Sequence, residues 1–262
     1  MNDFSGRNEP MTGLRLSLLP SFACVFLLLG FWAGALALEC SQLDDSKWEY
    51  QETELLGWRV HVRKELRESE PEKLAQAMVL LEKQLEEIVR VVPGPAVEKL
   101  RRIPLWLSPV YPGEQPRCEY HPGAGWLKEH GRDPAMEKGV EFSNISIFEA
   151  EYRRMPNFAL HELAHAYHDQ FLDRGFSNPQ VAELYRKAKD SGKYEQVEQR
   201  FGDGRTANTR AYALSNPAEY FAESTEAYFS TNDFFPFNRE QLEKHDPQMA
   251  QLLGELWNLP KP

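Results

Sequence analysis

Residues 161–168 read His-Glu-Leu-Ala-His-Ala-Tyr-His. The apolar spacing around them predicts a helix over 157–173. His161 and His165 stand four residues apart, so on a helix they project from one face, about 40° apart and about 6 Å along the axis. Two imidazoles so placed can grip one small cation, and nitrogen ligands at about 2.0–2.1 Å in tetrahedral geometry suit Zn²⁺. Glu162 flanks the same face. It can reach a water on the metal without ligating the metal. This is the His-Glu-x-x-His arrangement of zinc peptidases. The competing reading is a helix whose histidines make ordinary hydrogen bonds.

A catalytic zinc needs a third protein ligand and one open position. One group of peptidases places a third His six residues after the second. Here that position is Phe171, and the Gly expected at 168 is His168, which rules that group out. His168 itself reads as a supporting or surface residue. The other acids lie in Arg210-Ala-Tyr-Ala-Leu-Ser-Asn-Pro-Ala-Glu219-Tyr-Phe-Ala-Glu223-Ser-Thr-Glu226. Asn216 is a helix N-cap and Pro217 a first helical residue. Glu219, Glu223 and Glu226 then share one face of a helix over 217–229, and a carboxylate there could complete a His₂Glu site. Asn216-x-x-Glu219 is also a capping-box pattern, which would give Glu219 a purely structural task.

His161-Glu162-x-x-His165, taken with Tyr212 and Ala218-Glu219-Tyr220-Phe221-Ala222-Glu223, resembles the catalytic domain of anthrax lethal factor and the related secreted Pro-Pro endopeptidases. Those zinc enzymes take their third ligand from an Ala-Glu-aromatic-Phe-Ala-Glu helix and carry a Tyr seven residues before that Glu. The resemblance implies a zincin-like metallopeptidase fold. It implies metal ligands His161, His165 and Glu219, a supporting carboxylate at Glu223 and a catalytic hydrogen-bond donor at Tyr212. A packing tyrosine at a helix entry is the alternative for Tyr212. The match covers roughly residues 155–230 and does not extend to 38–150. The stretch from His165 to Glu219 is longer than in those relatives, which places an insertion within 175–207.

The rest of the chain must position these groups. Trp58-Arg59-Val60-His61-Val62 alternates like a strand. Pro71 to Val92 is an amphipathic helix stopped by Pro93-Gly94-Pro95, followed by a short helix near 95–102. Residues 103–107 and 140–148 read as strands, the latter with a bulge near Asn144. The later strand is a candidate edge for an extended peptide. Residues 111–138, rich in Gly and Pro, read as a long loop. Further helices are expected at 178–188, 193–200 and 239–257. Strands first and helices later predict an α+β fold, a small N-terminal sheet with a mostly helical second half. His61, His121, His130 and His245 fit no ligand spacing and read as surface or loop residues. Asn144-Ile145-Ser146 is a glycosylation sequon, relevant only in a eukaryotic secretory host.

Forty acidic against thirty basic residues give a formal net charge of −10, which argues against a nucleic-acid binder. A mean hydropathy of −0.57 leaves room for one very apolar segment and excludes a multi-span membrane protein. That segment is residues 16–38, without charge and ending in Ala35-Leu36-Ala37, a small-x-small cleavage pattern. Residues 1–37 therefore read as a secretory signal peptide, with a retained signal anchor as the alternative. Glu39 before Cys40 excludes a lipoprotein. Residues 38–262 then form a single domain outside the cytoplasm, secreted, periplasmic or anchored facing outward. Cys40 and Cys118 remain there, to be joined by a disulfide or left as two distant thiols. The expected function is an extracytoplasmic zinc endopeptidase acting on a protein or peptide, with Glu162 as general base. A catalytically silent zincin-like binding module and a zinc amidase for cell-wall peptides are the alternatives.

Overall fold

The computed structural model describes residues 48–258. The signal segment and Cys40, half of the expected disulfide, lie outside the described residues. Among the described residues no helix is long and apolar enough to cross a membrane.

The first half runs β1 (Tyr50–Leu55), β2 (Trp58–Arg63), α1 (Lys64–Ser69), α2 (Pro71–Val91), α3 (Gly94–Leu100), β3 (Leu105–Leu107), β4 (Cys118–Tyr120), α4 (Ala124–Glu129) and β5 (Val140–Phe142). The second half is α5 (Phe148–Arg154), α6 (Phe158–Phe171), α7 (Pro179–Ser191), β6 (Val197–Arg200), β7 (Thr206–Thr209), α8 (Pro217–Phe229), α9 (Arg239–His245) and α10 (Pro247–Leu256). This is a mixed, α+β chain with a small sheet. The five-stranded sheet has the order β1-β2-β3-β5-β4. Its centre, β2-β3-β5, is parallel, while β1 and β4 add antiparallel edges.

Successive residues of a strand face opposite sides of the sheet, and the register sorts the side chains into clean rows. Val60, Leu105, Val140 and Tyr120 form one row, and Val62, Leu107, Phe142 and Cys118 another. Both face the main core with α2 and α6. Between them His61, Trp106, Glu141 and Glu119 look to the far side. There Trp106 packs with Leu127, Met136 and Tyr50.

Helix α2 buries Ala77, Leu81, Leu85 and Ile88, the spacing of one helical stripe. It also buries Gln84, whose side-chain oxygen accepts from the Ala159 N–H at 2.9 Å. Asn157 caps α6 by accepting from Leu160 N, and its amide donates to the Gln84 carbonyl at 3.1 Å. Two of the orphan N–H groups at the start of α6 are thus satisfied, and α2 fixes where that helix begins. At the other end Leu172 breaks the helix. Arg174 (φ 59) and Gly175 (φ 54) turn the chain back so that Phe176 returns beside α6.

Several sequence expectations are corrected. Residues 140–148 are not one strand: β5 ends at Phe142 and a 3-10 turn follows at Ile145–Ile147. The shift of apolar phase there marks the end of the strand, not a bulge. β5 also lies inside the sheet, between β3 and β4, so the edge is β4, which falls within the expected loop 111–138. Residues 193–200 contain strand β6, paired with β7, where a helix was expected. The helix expected at 239–257 is two helices: Pro247 lacks an N–H and Asp246 caps the second one through Met249 N. Asn144 is 1% exposed, so the sequon offers no accessible amide.

The return of Phe176 depends on Gly175. A Cβ at that position would lie 2.6 Å from the Asp169 carbonyl oxygen, on top of a positive φ. Gly175→Ala is expected to cost about 1–3 kcal/mol, more than Gly192→Ala, where φ is +69 but no atom lies within 4 Å. Thermal unfolding of both variants checks this, and equal losses would refute the steric contribution.

Candidate metal centre

Helix α6 lies between the sheet and α8 and brings His161, Glu162 and His165 to the head of a cleft of about 800 Å³. Asn216 caps α8 by accepting from Ala218 N at 2.8 Å and Glu219 N at 3.0 Å. The Glu219 carboxylate does not turn back to its own helix end, as a capping box would require. It points to the histidines instead. Glu219 Oε2 lies 3.2 Å from His161 Nε2 and 3.2 Å from His165 Nε2, and the two imidazole nitrogens are 3.1 Å apart.

The far nitrogen of His161 decides what this triangle means. Nδ1 lies 3.1 Å from Glu226 Oε2 and 3.7 Å from Glu223 Oε1. Facing two carboxylates, Nδ1 is the nitrogen that keeps a proton when the ring is neutral, and Nε2 then carries the lone pair. In the neutral ring, three acceptor atoms then converge on one point. Tetrahedral ligands at about 2.0–2.1 Å from a Zn²⁺ ion are separated by about 3.3–3.4 Å, close to the three observed edges. The donor set, two imidazoles and a carboxylate, also suits zinc. With an imidazolium in place of a cation, the same groups pair by charge. Burial disfavours a charged His161, but Glu226 and Glu219 outweigh it and push its pKa well up. Burial likewise acts to raise Glu219, yet His161 and His165 hold its carboxyl well below the usual range.

The other acids differ in what balances them. Glu223 and Glu226 are almost wholly buried, and burial raises both. The negative charge of Glu226 adds to the rise of Glu223. Asn232 donates to Glu223 at 3.1 Å. The sequence assigned the supporting role to Glu223, whereas Glu226 makes the shorter contact to His161. The signal was present in the common face of Glu219, Glu223 and Glu226. Glu162 is raised chiefly by burial, which His161 and His165 oppose, and its Oε2 accepts from the backbone N–H of Tyr120 at 2.8 Å. Tyr212 is 48% exposed and lines the cleft with Glu219. Cys118, half-buried on β4, lines it too, with its thiol pKa raised by burial.

A second group of potential ligand atoms, from Glu119, His121 and Glu141, lies on the far face of the sheet. Arg132 already supplies its cation, with Nη1 2.6 Å from Glu119 and 3.0 Å from Glu141. His121, read as a surface or loop residue, does follow β4 in a loop but is buried against Glu141 at 2.9 Å. His61 is buried as well, stacked on Trp106 at 3.9 Å. His130 is exposed, as expected, and His245 is half-buried beside Tyr194.

His168 is neither a surface residue nor a hydrogen-bond partner of the candidate ligands. Its ring is fully buried between Phe176 and Phe221, and both ring nitrogens lack partners among the described residues. Burial, aided by the nearby charge of His165, lowers its pKa from 6.5 to about 4. The unfolded chain therefore binds more protons between those values. Its stabilising contribution is present above pH 6.5 and is lost as pH falls towards 4, by about 3 kcal/mol. His168→Leu should flatten this part of the stability curve. Thermal midpoints at pH 7 and pH 4.5 test it, and an unchanged pH sensitivity would count against the assignment.

No protein-family model matches the chain, and neither the curated proteins nor the solved structures contain a significant match.

Proposed function

We propose that the protein is an extracytoplasmic zinc-dependent endopeptidase with a zincin-like fold. The observation that carries this reading is the convergence of His161 Nε2, His165 Nε2 and Glu219 Oε2 within 3.2 Å of one another. The motif resemblance supports it. The location rests on the sequence of residues 1–37 alone.

A zinc ion held by those three atoms would lower the pKa of a bound water towards ~7 and polarise the scissile carbonyl. The chain supplies the rest. Glu162 stands beside that point without joining the ligand triangle, and takes the proton of the attacking water. It later passes the proton to the leaving amine. Burial raises the affinity of its carboxylate for a proton, which suits a group that must accept one and release it. Tyr212, on the cleft wall next to Glu219, donates a hydrogen bond to the developing oxyanion. Glu226 and Glu223 hold the Nδ1 proton of His161 and so keep Nε2 aimed at the metal.

The substrate lies along β4. Backbone bonds from Ser143 N to Arg117 O and from His121 N to Gly139 O show that the odd residues of this strand pair with β5. By the alternation of an antiparallel ladder, the polar backbone atoms of Cys118 and Tyr120 point away from β5, into the cleft. The Tyr120 N–H is taken by Glu162, so a peptide would use the other edge groups. An extended peptide adds to such an edge through main-chain hydrogen bonds.

Metal analysis and hydrolysis of a peptide library by wild type, Glu162→Gln and His165→Ala test this. One zinc per chain is expected in wild type and in Glu162→Gln, with little in His165→Ala. Glu162→Gln should lose ~10²–10⁴-fold in kcat, and Tyr212→Phe ~10²–10³-fold. Zinc-loaded wild type that cleaves no peptide would overturn the peptidase reading. Among the supporting acids, Glu226→Ala should weaken zinc binding by ~10–100-fold and more than Glu223→Ala does. The opposite order in a chelator competition would reverse their assigned roles.

A further inference from the structure

Among the described residues strand β4 has three residues and one strand partner, yet it lines the cleft. Such a short edge is not rigid by itself, and its position has to come from side chains. On the far face Glu119 is fixed by Arg132 at 2.6 Å. On the cleft face everything passes through Tyr120. Its backbone N–H donates to Glu162 Oε2 at 2.8 Å. Its hydroxyl donates to Asp169 Oδ2 at 2.6 Å. Gln170 donates both to that hydroxyl, at 3.0 Å, and to the Lys138 carbonyl, at 3.1 Å. The Lys138 ammonium closes the ring on Asp169 Oδ2 at 2.6 Å.

Glu162 and Asp169 are both on α6, seven residues apart, and two helical turns put them on one face. The same strand residue therefore grips the helix at two points, one through its backbone and one through its phenol. One contact alone would fix a distance and leave the strand free to slide or tilt along the helix. Two contacts along the helix axis remove that freedom.

We propose that Tyr120 is a positioning residue, whose hydroxyl, clamped to Asp169, registers β4 on α6 so that the Tyr120 N–H holds the Glu162 carboxylate. This rests on the peptidase reading for its catalytic consequence, but not for the clamp itself. The phenol is spent on the clamp: it donates to Asp169 and accepts from Gln170, which leaves Tyr212 as the hydroxyl facing a reacting carbonyl. Burial and the bond to Asp169 push the phenol pKa well up, so the donor stays protonated. Without the far contact the strand shifts, Glu162 loses the Tyr120 N–H, and the carboxylate samples orientations that miss the water proton.

The test uses Tyr120→Phe, which keeps the ring, and Asp169→Ala, which removes the acceptor. The first readout needs no activity. In amide hydrogen exchange of the full chain, protection of the residue 120 amide should fall at least about tenfold in both variants, and in Glu162→Gln no more than that. Unchanged protection of this amide overturns the clamp, whether or not the protein is a peptidase. The second readout is kinetic. Both variants should keep one zinc per chain and a KM within about threefold of wild type, while kcat falls ~10–100-fold. Asp169→Glu should recover part of the loss. In the Glu162→Gln background Tyr120→Phe should cost nothing further, because its effect passes through that carboxylate. A loss confined to KM, or one that adds in full to that of Glu162→Gln, overturns the positioning role. If wild type hydrolyses nothing, the peptidase reading fails alone, and exchange still decides the clamp.

Discussion

Three potential ligand atoms, His161 Nε2, His165 Nε2 and Glu219 Oε2, face one another within 3.2 Å at the contact of two buried helices. Acceptors do not gather in this way without positive charge between them. The crowding extends outward, because Glu162 acts on both imidazoles and Glu223 and Glu226 press on His161. Removing this many acids from water is costly unless a cation or a proton balances them. On the proposed reading a zinc dication supplies most of the balance, and the raised proton affinity of Glu223 and Glu226 eases the rest. The packing of α6 on α8 is then conditional on charge. The aromatic shell around those helices, including Tyr167, Phe221 and Trp257, would otherwise enclose an uncompensated cluster.

The sheet meets a second demand. On the proposed reading, a cleft beside α6 needs one edge that stays open to a peptide and yet does not move. The parallel centre β2-β3-β5 is covered on both faces, by the main core on one side and by residues 124–136 on the other. Its far face is unusual in carrying Glu141 in the central row, 1% exposed. Tyr111, His121 and Arg132 surround that carboxylate at 2.6–3.0 Å. Removing one member would leave a buried charge unpaired, which is the expensive case. The segment 111–138, although mostly irregular, is therefore tied to the sheet by charge, and carries β4 with it.

Which parts of this were legible in the sequence follows from how local their causes are. The His-Glu-x-x-His helix, the Asn216-Pro217 start of α8 and the stripe of α2 are encoded within a few turns of chain, and they appear where expected. Strand β4 was hidden, since Cys-Glu-Tyr between two prolines shows no period, and its pairing with Val140–Phe142 comes from distant residues. Strand β6 was misread because Val-Glu-Gln-Arg has little preference of its own and gains its form from β7 and the bridge from Gln199 to Phe234. The buried histidines were misread for one common reason. A histidine looks like a surface residue until its partner is known, and Glu141 and Trp106 are far from His121 and His61 in sequence. Glu226 sat on the recognised face, but only the orientation of His161 shows that Nδ1 meets it first.

The acids of the cleft can be ranked by what answers their charge. Glu219 is answered by two imidazoles and stays ionised. Glu223 and Glu226 are raised by burial and face the Nδ1 of His161. Glu162 is the exception: a neutral backbone N–H is its closest donor, and the histidines act on it only through space. It is thus the acid whose protonation can change without breaking an ion pair, and the one whose direction depends on a strand instead of a charge. On the proposed reading this asymmetry is functional. A ligand must not exchange protons, a supporting acid must keep its proton in place, and a general base must do neither. The burial that raises Glu162 prepares it to take a proton, and the edge strand that directs it is the same strand that would hold the peptide. Substrate and base are then set against one frame, with their relative positions fixed by a single residue, Tyr120.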